Sequence, residues 1–287
     1  MCALRSIRGV QPIIDIFDVG LQYLQGMNGI ADHPHLFHHA IAILHAPSYA
    51  TENAPALRQD WPRVPLPAER QRLLASAELG RQVAALLDPE AKVEGVTSGK
   101  LSPALKTIGQ PTKVGGGNFT DDDYAVTARW GIAGKGGITM PAKGRVLSRP
   151  FDAAERTALG VGEVVGSRTR ESSDFAEKIG SLTTLATGGR DPLALLGEET
   201  CDIFLNDKAH WKNVPRPVWE YTLGGYQVLK KWLSYREQTL LGRPLTVDEV
   251  NHFRDVIRRI TALLLLGPQL DTNYAAIKAN THSWPRA

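Results

Sequence analysis

V-P-R-P-V-W-E-Y-T-L-G-G-Y-Q-V-L-K-K-W-L-S-Y-R-E, residues 214–237, sets Trp219, Tyr221 and Tyr226 around the pair Gly224-Gly225 and then runs into a basic amphipathic segment. Pro215 and Pro217 stiffen its entry, because each fixes φ and lacks an N–H. A short helical turn is expected to carry Trp219 inward, and the two glycines allow a bend that a Cβ would resist. Val228, Leu229, Trp232, Leu233 and Tyr235 then recur at helical spacing, with Lys230, Lys231 and Arg236 towards the other face. The stretch holds no nucleophile, metal cluster or phosphate loop. Trp219, Gly224, Gly225 and Tyr226 are therefore assigned to structure rather than to contact with a ligand.

Downstream, Thr246-Val-Asp-Glu249 is a capping box that opens a long helix. Val250, Phe253, Ile257, Ile260 and Leu264 form its predicted inner stripe, and Arg254, Arg258 and Arg259 its solvent side. Gly267-Pro268 is expected to stop it, with a last short helix around 270–279. Upstream, Cys201–Leu205 is apolar and β-like, and Asn206-Asp207 supplies a turn before 209–214.

From about Lys92 to Pro150 helical periodicity gives way to glycine and short apolar runs, at 93–96, 105–108, 124–130, 137–140 and 144–147, which predicts a small β-rich region. Its charge is asymmetric. Residues 100–150 carry Lys100, Lys106, Lys113, Arg129, Lys135, Lys143, Arg145 and Arg149 against Asp121, Asp122 and Asp123, eight minus three or +5, while the whole chain has +3. Glycine-rich basic loops can approach a phosphodiester backbone, and their side chains can reach base edges. An ordinary solvated sheet rim has the same composition.

Before that region, Ala40–Pro67 reads as a helix end, a second short helix from Pro47, and an extended segment Asp60–Pro67 in which each proline disfavours helix before it. A long helix follows to about Leu87, with Arg70, Arg72 and Arg81 outward. Residues 1–32 show little pattern. At 151–200, Asp152-x-x-Glu155 caps one short helix, 192–196 forms another ending at Gly197, and the stretch between is an excursion.

Three blocks, Ala40–Pro67, Asp202–Val214 and Val214–Glu237, occur in the order found in the C-terminal specificity region of type ISP restriction–modification enzymes, which this chain resembles over most of 36–275. The resemblance implies sequence-specific double-stranded DNA binding by a target-recognition domain. The relatives' DNA adenine methyltransferase domain would lie upstream of it. No N-P-P-[YF], F-x-G-x-G or helicase motif occurs here. The chain is thus expected not to be an enzyme by itself, and S-adenosylmethionine, ATP and Mg would belong to other domains or to a separate methyltransferase/helicase–nuclease polypeptide. Lys113, Arg129, Lys135, Lys143, Arg145 and Arg149 are the candidate DNA-binding residues, on charge and position. The alternatives are a protein-docking subunit and a truncated remnant of such an enzyme.

The expected architecture is α+β: an irregular 1–32, a helical layer 33–90, a β-rich recognition region 91–200 with a loop insertion, and a helical part 201–287. Cys2 and Cys201 suit a reducing cytoplasm rather than a disulfide scaffold. Neither a signal peptide nor a bilayer-spanning apolar run is legible. His33, His35, His38 and His39 invite a metal, but Phe37, Ile41 and Leu44 make the neighbouring face a core stripe, so these histidines are expected as polar positions in the N-terminal turn of a core helix, and His45 as a packed, hydrogen-bonded group. Gly95–Lys100 and Gly131–Gly136 lack phosphate-loop spacing, and Gly115–Gly117 lacks a strand–helix frame. Glu90-Ala-Lys92 has no upstream aspartate on a strand, and Asp121–Asp123 reads as a turn or cap. No catalytic or metal-binding residue is assigned.

Overall fold

A computed structural model of the chain describes residues 22–26, 33–160 and 192–283. Most of the irregular N-terminus (1–21 and 27–32) and the centre of the excursion (161–191) lie outside the described residues. The described chain is α+β, as expected. It divides into two compact units, one of residues 1–84 with 270–287 and one of residues 85–269. Two helices, Arg70–Leu87 and Val247–Ala279, contribute residues to both.

In the first unit, helix His33–Leu44 packs against Arg70–Leu87 so closely that a Cβ at Gly80 would fall 1.7 Å from the His38 carbonyl oxygen. Only glycine permits that approach. The two short helices Pro47–Glu52 and Ala54–Leu57 follow, and 61–66 is extended. His39, wholly buried, joins these elements: one ring nitrogen lies 2.8 Å from Ser76 Oγ and the other 3.0 Å from the Pro65 carbonyl. A carbonyl only accepts, so Nε2 carries the proton and Nδ1 accepts from the serine. Burial holds the His39 pKa down to about 4. His45 sets its Nδ1 2.9 Å from the Ile41 carbonyl, so these two histidines are packed, hydrogen-bonded groups. Among the described residues no cluster suited to a metal ion forms.

Among the described residues the second unit has eight strands: β1 (Gln110–Lys113), β2 (Gly131–Ala133), β3 (Thr139–Pro141), β4 (Val146–Pro150), β5 (Glu199–Phe204), β6 (Ala209–Pro215), β7 (Thr222–Leu223) and β8 (Tyr226–Gln227). Four form an antiparallel sheet in the order β1-β6-β5-β4, and β2–β3 and β7–β8 are separate hairpins. The central pair β5–β6 is far more buried than its neighbours, since its apolar residues Cys201, Ile203, Trp211 and Val214 face the core. Trp211 packs on Phe253 of the long C-terminal helix at 4.3 Å between ring centroids, and Trp232 reaches Phe253 at 4.8 Å.

Several runs expected to be strands are not. Val93–Val96 forms a turn, Leu105 lies on the short helix Pro103–Lys106, and 124–130 follows a 3-10 turn, Asp121–Tyr124, without joining a sheet. Their apolar side chains are nevertheless buried: Val93, Val96, Leu105, Ile108, Val126 and Trp130 all belong to the core. A short apolar run reports burial, not backbone conformation.

The last helix runs unbroken from Val247 to Ala279, through Pro268, instead of ending there. An interior proline costs about 3 kcal/mol. Burying one leucine contributes about 1.5–3 kcal/mol. Leu265, Leu266 and Leu270 are all buried around it, so packing outweighs the proline. Its Thr246/Glu249 capping box is present, Thr246 N–H donating to Glu249 at 2.9 Å and Glu249 N–H to Thr246 Oγ1 at 3.2 Å. Arg258 and Arg259, expected in solvent, are only 5% and 6% exposed. Arg259 donates to the Ala85 carbonyl, left open in the last turn of helix Arg70–Leu87, and to the Ala91 carbonyl in the loop beyond it. Burial pushes the Arg258 pKa down to about 10.

Candidate functional site

The segment from Tyr124 to Phe151 contains five arginines and lysines and no acidic residue. It is tied down at its start. Thr127 and Ala128 N–H donate to the Leu205 carbonyl at 2.8 and 2.9 Å, and the Asn206 side-chain amide donates to the Asp123 and Ala125 carbonyls at 2.9 and 2.7 Å. Trp130, wholly buried, donates its indole N–H to the Phe204 carbonyl at 2.7 Å. Glu237, at the end of the 214–237 stretch, is buried and accepts from the backbone N–H of Trp130 at 2.7 Å and of Arg129 at 3.3 Å. That grip fixes Arg129 in the left-handed region at φ 62, unusual for a residue with a Cβ. Its side chain is exposed.

From this anchor the β2–β3 ribbon extends. Gly131 sits against helix Val228–Ser234, where a Cβ would meet the Ser234 carbonyl oxygen at 1.9 Å. The return strand closes on the same anchor: Ala142 N–H donates to the Trp130 carbonyl at 2.7 Å, and Gly144 N–H to the Arg129 carbonyl at 2.9 Å. Between them lies the tip, Lys135-Gly136-Gly137, exposed.

The six candidate residues fall into two groups. Lys113 and Arg149 face inward carboxylates. Lys113 Nζ lies 2.6 Å from Asp123, which is 2% exposed, also accepts from Thr120, and is held by the ammonium and these donors at a pKa of about 2. Arg149 donates to both oxygens of Glu155 at 2.7 Å each and to both of Asp202 at 2.9 and 3.1 Å. Both carboxylates are buried, and these bonds raise the Arg149 pKa. Glu155 also completes the cap of helix Ala153–Ala158, its side chain accepting from Asp152 N–H at 2.9 Å. Arg145 is intermediate: half exposed, paired with Asp207, its guanidinium 4.2 Å from the Phe204 ring centroid. Arg129, Lys135 and Lys143 are exposed, and no hydrogen bond or ion pair engages their side chains among the described residues.

The residues assigned to structure also separate. Gly224 and Gly225, at φ 57 and 81, are the two central residues of the β7–β8 hairpin, a geometry that needs positive φ twice. Trp219 is half-buried edge-on to Trp130 at 5.5 Å, while its neighbour Val218 is the fully buried residue of that turn. Tyr226 is 60% exposed, with Lys231 Nζ 4.8 Å from its ring centroid and equally far from that of Tyr235. Behind this hairpin, Tyr221, Leu223, Trp232, Tyr235 and Leu263 line an open apolar cavity of about 460 Å³. Glu237, which holds the ribbon's root, was not singled out in the sequence. It lies 107 residues from the amide it holds, and no local pattern marks it.

The model of the type ISP C-terminal specificity domain matches residues 19–110 and 171–263, and the chain belongs to that family. No curated protein and no solved structure matched the chain. Residues 111–170, which hold all six candidate basic residues, fall between the two matched segments.

Proposed function

We propose that this chain binds double-stranded DNA sequence-specifically, as the target-recognition part of a type ISP restriction–modification system. It carries no catalysis of its own in this proposal. S-adenosylmethionine, ATP and Mg are bound by methyltransferase and helicase–nuclease domains or by a separate polypeptide, and the work is done in the cytoplasm, where the DNA is. Among the described residues no helix is long and apolar enough to cross a membrane.

One observation carries the proposal. Residues 111–170, which lie between the two segments matched by the family's pattern, contain the acid-free stretch 124–151 with its five cations. Specificity domains that read different targets must differ where they read, and a DNA reader needs cations free to meet phosphates. Arg129, Lys135 and Lys143 meet that requirement, with Arg145 beside them. Lys113 and Arg149 support the platform through their internal pairs. The test is to incubate the purified chain with a randomised duplex library at two salt concentrations and sequence what is retained. An enriched motif, with retention falling steeply as salt rises, is the expected result. Retention that ignores salt, or none, contradicts it.

A further inference from the structure

The β2–β3 ribbon has two unlike faces. Its register pairs Ile132 with Met140 and Ala133 with Thr139, and Gly134 N–H donates to the Ile138 carbonyl at 2.8 Å. Side chains alternate along a strand, so Ile132, Gly134, Ile138 and Met140 share one face. A Cβ at Gly134 would lie 3.2 Å from the Met140 side chain, as that placement requires. The opposite face, at Gly131, is closed by helix Val228–Ser234. The first face is uncovered: Ile132, Ile138 and Met140 are 53%, 69% and 52% exposed.

Three exposed apolar side chains on a strand pair would ordinarily be an aggregation liability. Here they are flanked by Arg129, Lys135 and Lys143, with no acidic residue from Tyr124 to Phe151. The surface therefore suits a polyanion that also offers an apolar feature. Duplex DNA does so in its major groove, which is about 12 Å wide and admits a two-stranded ribbon, and in which the C5-methyl of thymine is the apolar group. The ribbon's root is rigid through Glu237 and Trp130, and its tip is glycine-flanked.

Resting on the proposed DNA binding, we infer that the β2–β3 ribbon enters the major groove and that Ile138 and Met140 read thymine methyl groups there, while Arg129, Lys135 and Lys143 hold the flanking phosphates. Phosphate contacts fix register without sequence information, so the apolar face supplies discrimination that the cations cannot.

The test uses the full chain and the duplex motif enriched from the randomised library, with each thymine replaced in turn by deoxyuridine, which lacks only the methyl. Wild-type affinity is expected to fall about 5-fold or more at one or two positions, within the range of a single base contact. Ile138→Ala/Met140→Ala is expected to bind the thymine duplex as weakly as wild type binds the deoxyuridine one, and to be indifferent to the replacement. Thermal unfolding of the variant checks that it folds. The inference is overturned if no thymine methyl matters to wild type, if the motif contains no A·T pair, or if the variant discriminates as wild type does. Wild type failing to bind any duplex at low salt overturns the proposed function itself, which the other outcomes leave standing.

Discussion

Arg149 and Lys143 lie six residues apart in the same basic segment and do opposite things. Arg149, itself partly buried, bridges two buried carboxylates from β5 and the 153–158 helix. Lys143, like Lys135 and Arg129, has exposed charge that no described carboxylate neutralises. Composition counts these residues alike. Geometry separates them into cations already paired within the fold and cations left unpaired among the described residues.

The largest effect that could break the contrast is on Arg149. Arg149→Ala removes the guanidinium from buried Glu155 and Asp202, leaving Glu155 only Lys212 as a cation, at 3.5 Å, and removing one member of a buried pair costs about 3–5 kcal/mol. Urea unfolding should show a loss of that size. A loss below about 1 kcal/mol would return Arg149 to the pool of candidate DNA contacts. The histidines repeat the pattern. His39 is enclosed as the neutral form, its pKa lowered from 6.5 to about 4, so its contribution is complete above pH 6.5 and lost as the pH falls towards 4. That gap corresponds to about 3 kcal/mol. His39→Gln should flatten the decline in stability between pH 6.5 and 4, and an unaltered pH profile would refute the assignment.

Glu237→Ala should cost about 1–3 kcal/mol, because it strands the buried Trp130 amide. It should also weaken DNA binding by releasing the ribbon's root. A fall in stability with no change in binding would detach the anchor from the recognition surface. The smallest stability effects are expected at the free cations: Lys135→Ala and Lys143→Ala should each stay within about 0.5 kcal/mol of wild type by thermal unfolding. A larger loss would mean they, too, hold the fold.

What was legible in the sequence was local. The Thr246/Glu249 and Asp152/Glu155 boxes and the Gly224-Gly225 turn stand where expected, because each is specified within a few residues. The helix through Pro268 was not legible, since burial of distant origin outweighed a local breaker. Nor was the burial of Arg258 and Arg259, whose periodicity matches a solvent face. Strand β5 was legible as an apolar run and the Asn206-Asp207 turn before β6 as a turn, but not the pairing of β5 and β6 with β4 and β1 across the excursion and the loops. The candidate site was half legible: the basic segment stood out by composition, whereas the partners of Lys113 and Arg149 and the grip of Glu237 are tertiary. Charge tells where cations are, and only folding tells which are already engaged.

The most direct measurement is the salt dependence of duplex binding by wild type and by Arg129→Ala/Lys135→Ala/Lys143→Ala. Each phosphate contact adds about 0.9 to the slope of log affinity against log salt. The triple variant should keep its thermal stability and lose about 2–3 units of slope. An unchanged slope in a folded variant would contradict the claim that the free cations of this segment are the ones that meet DNA.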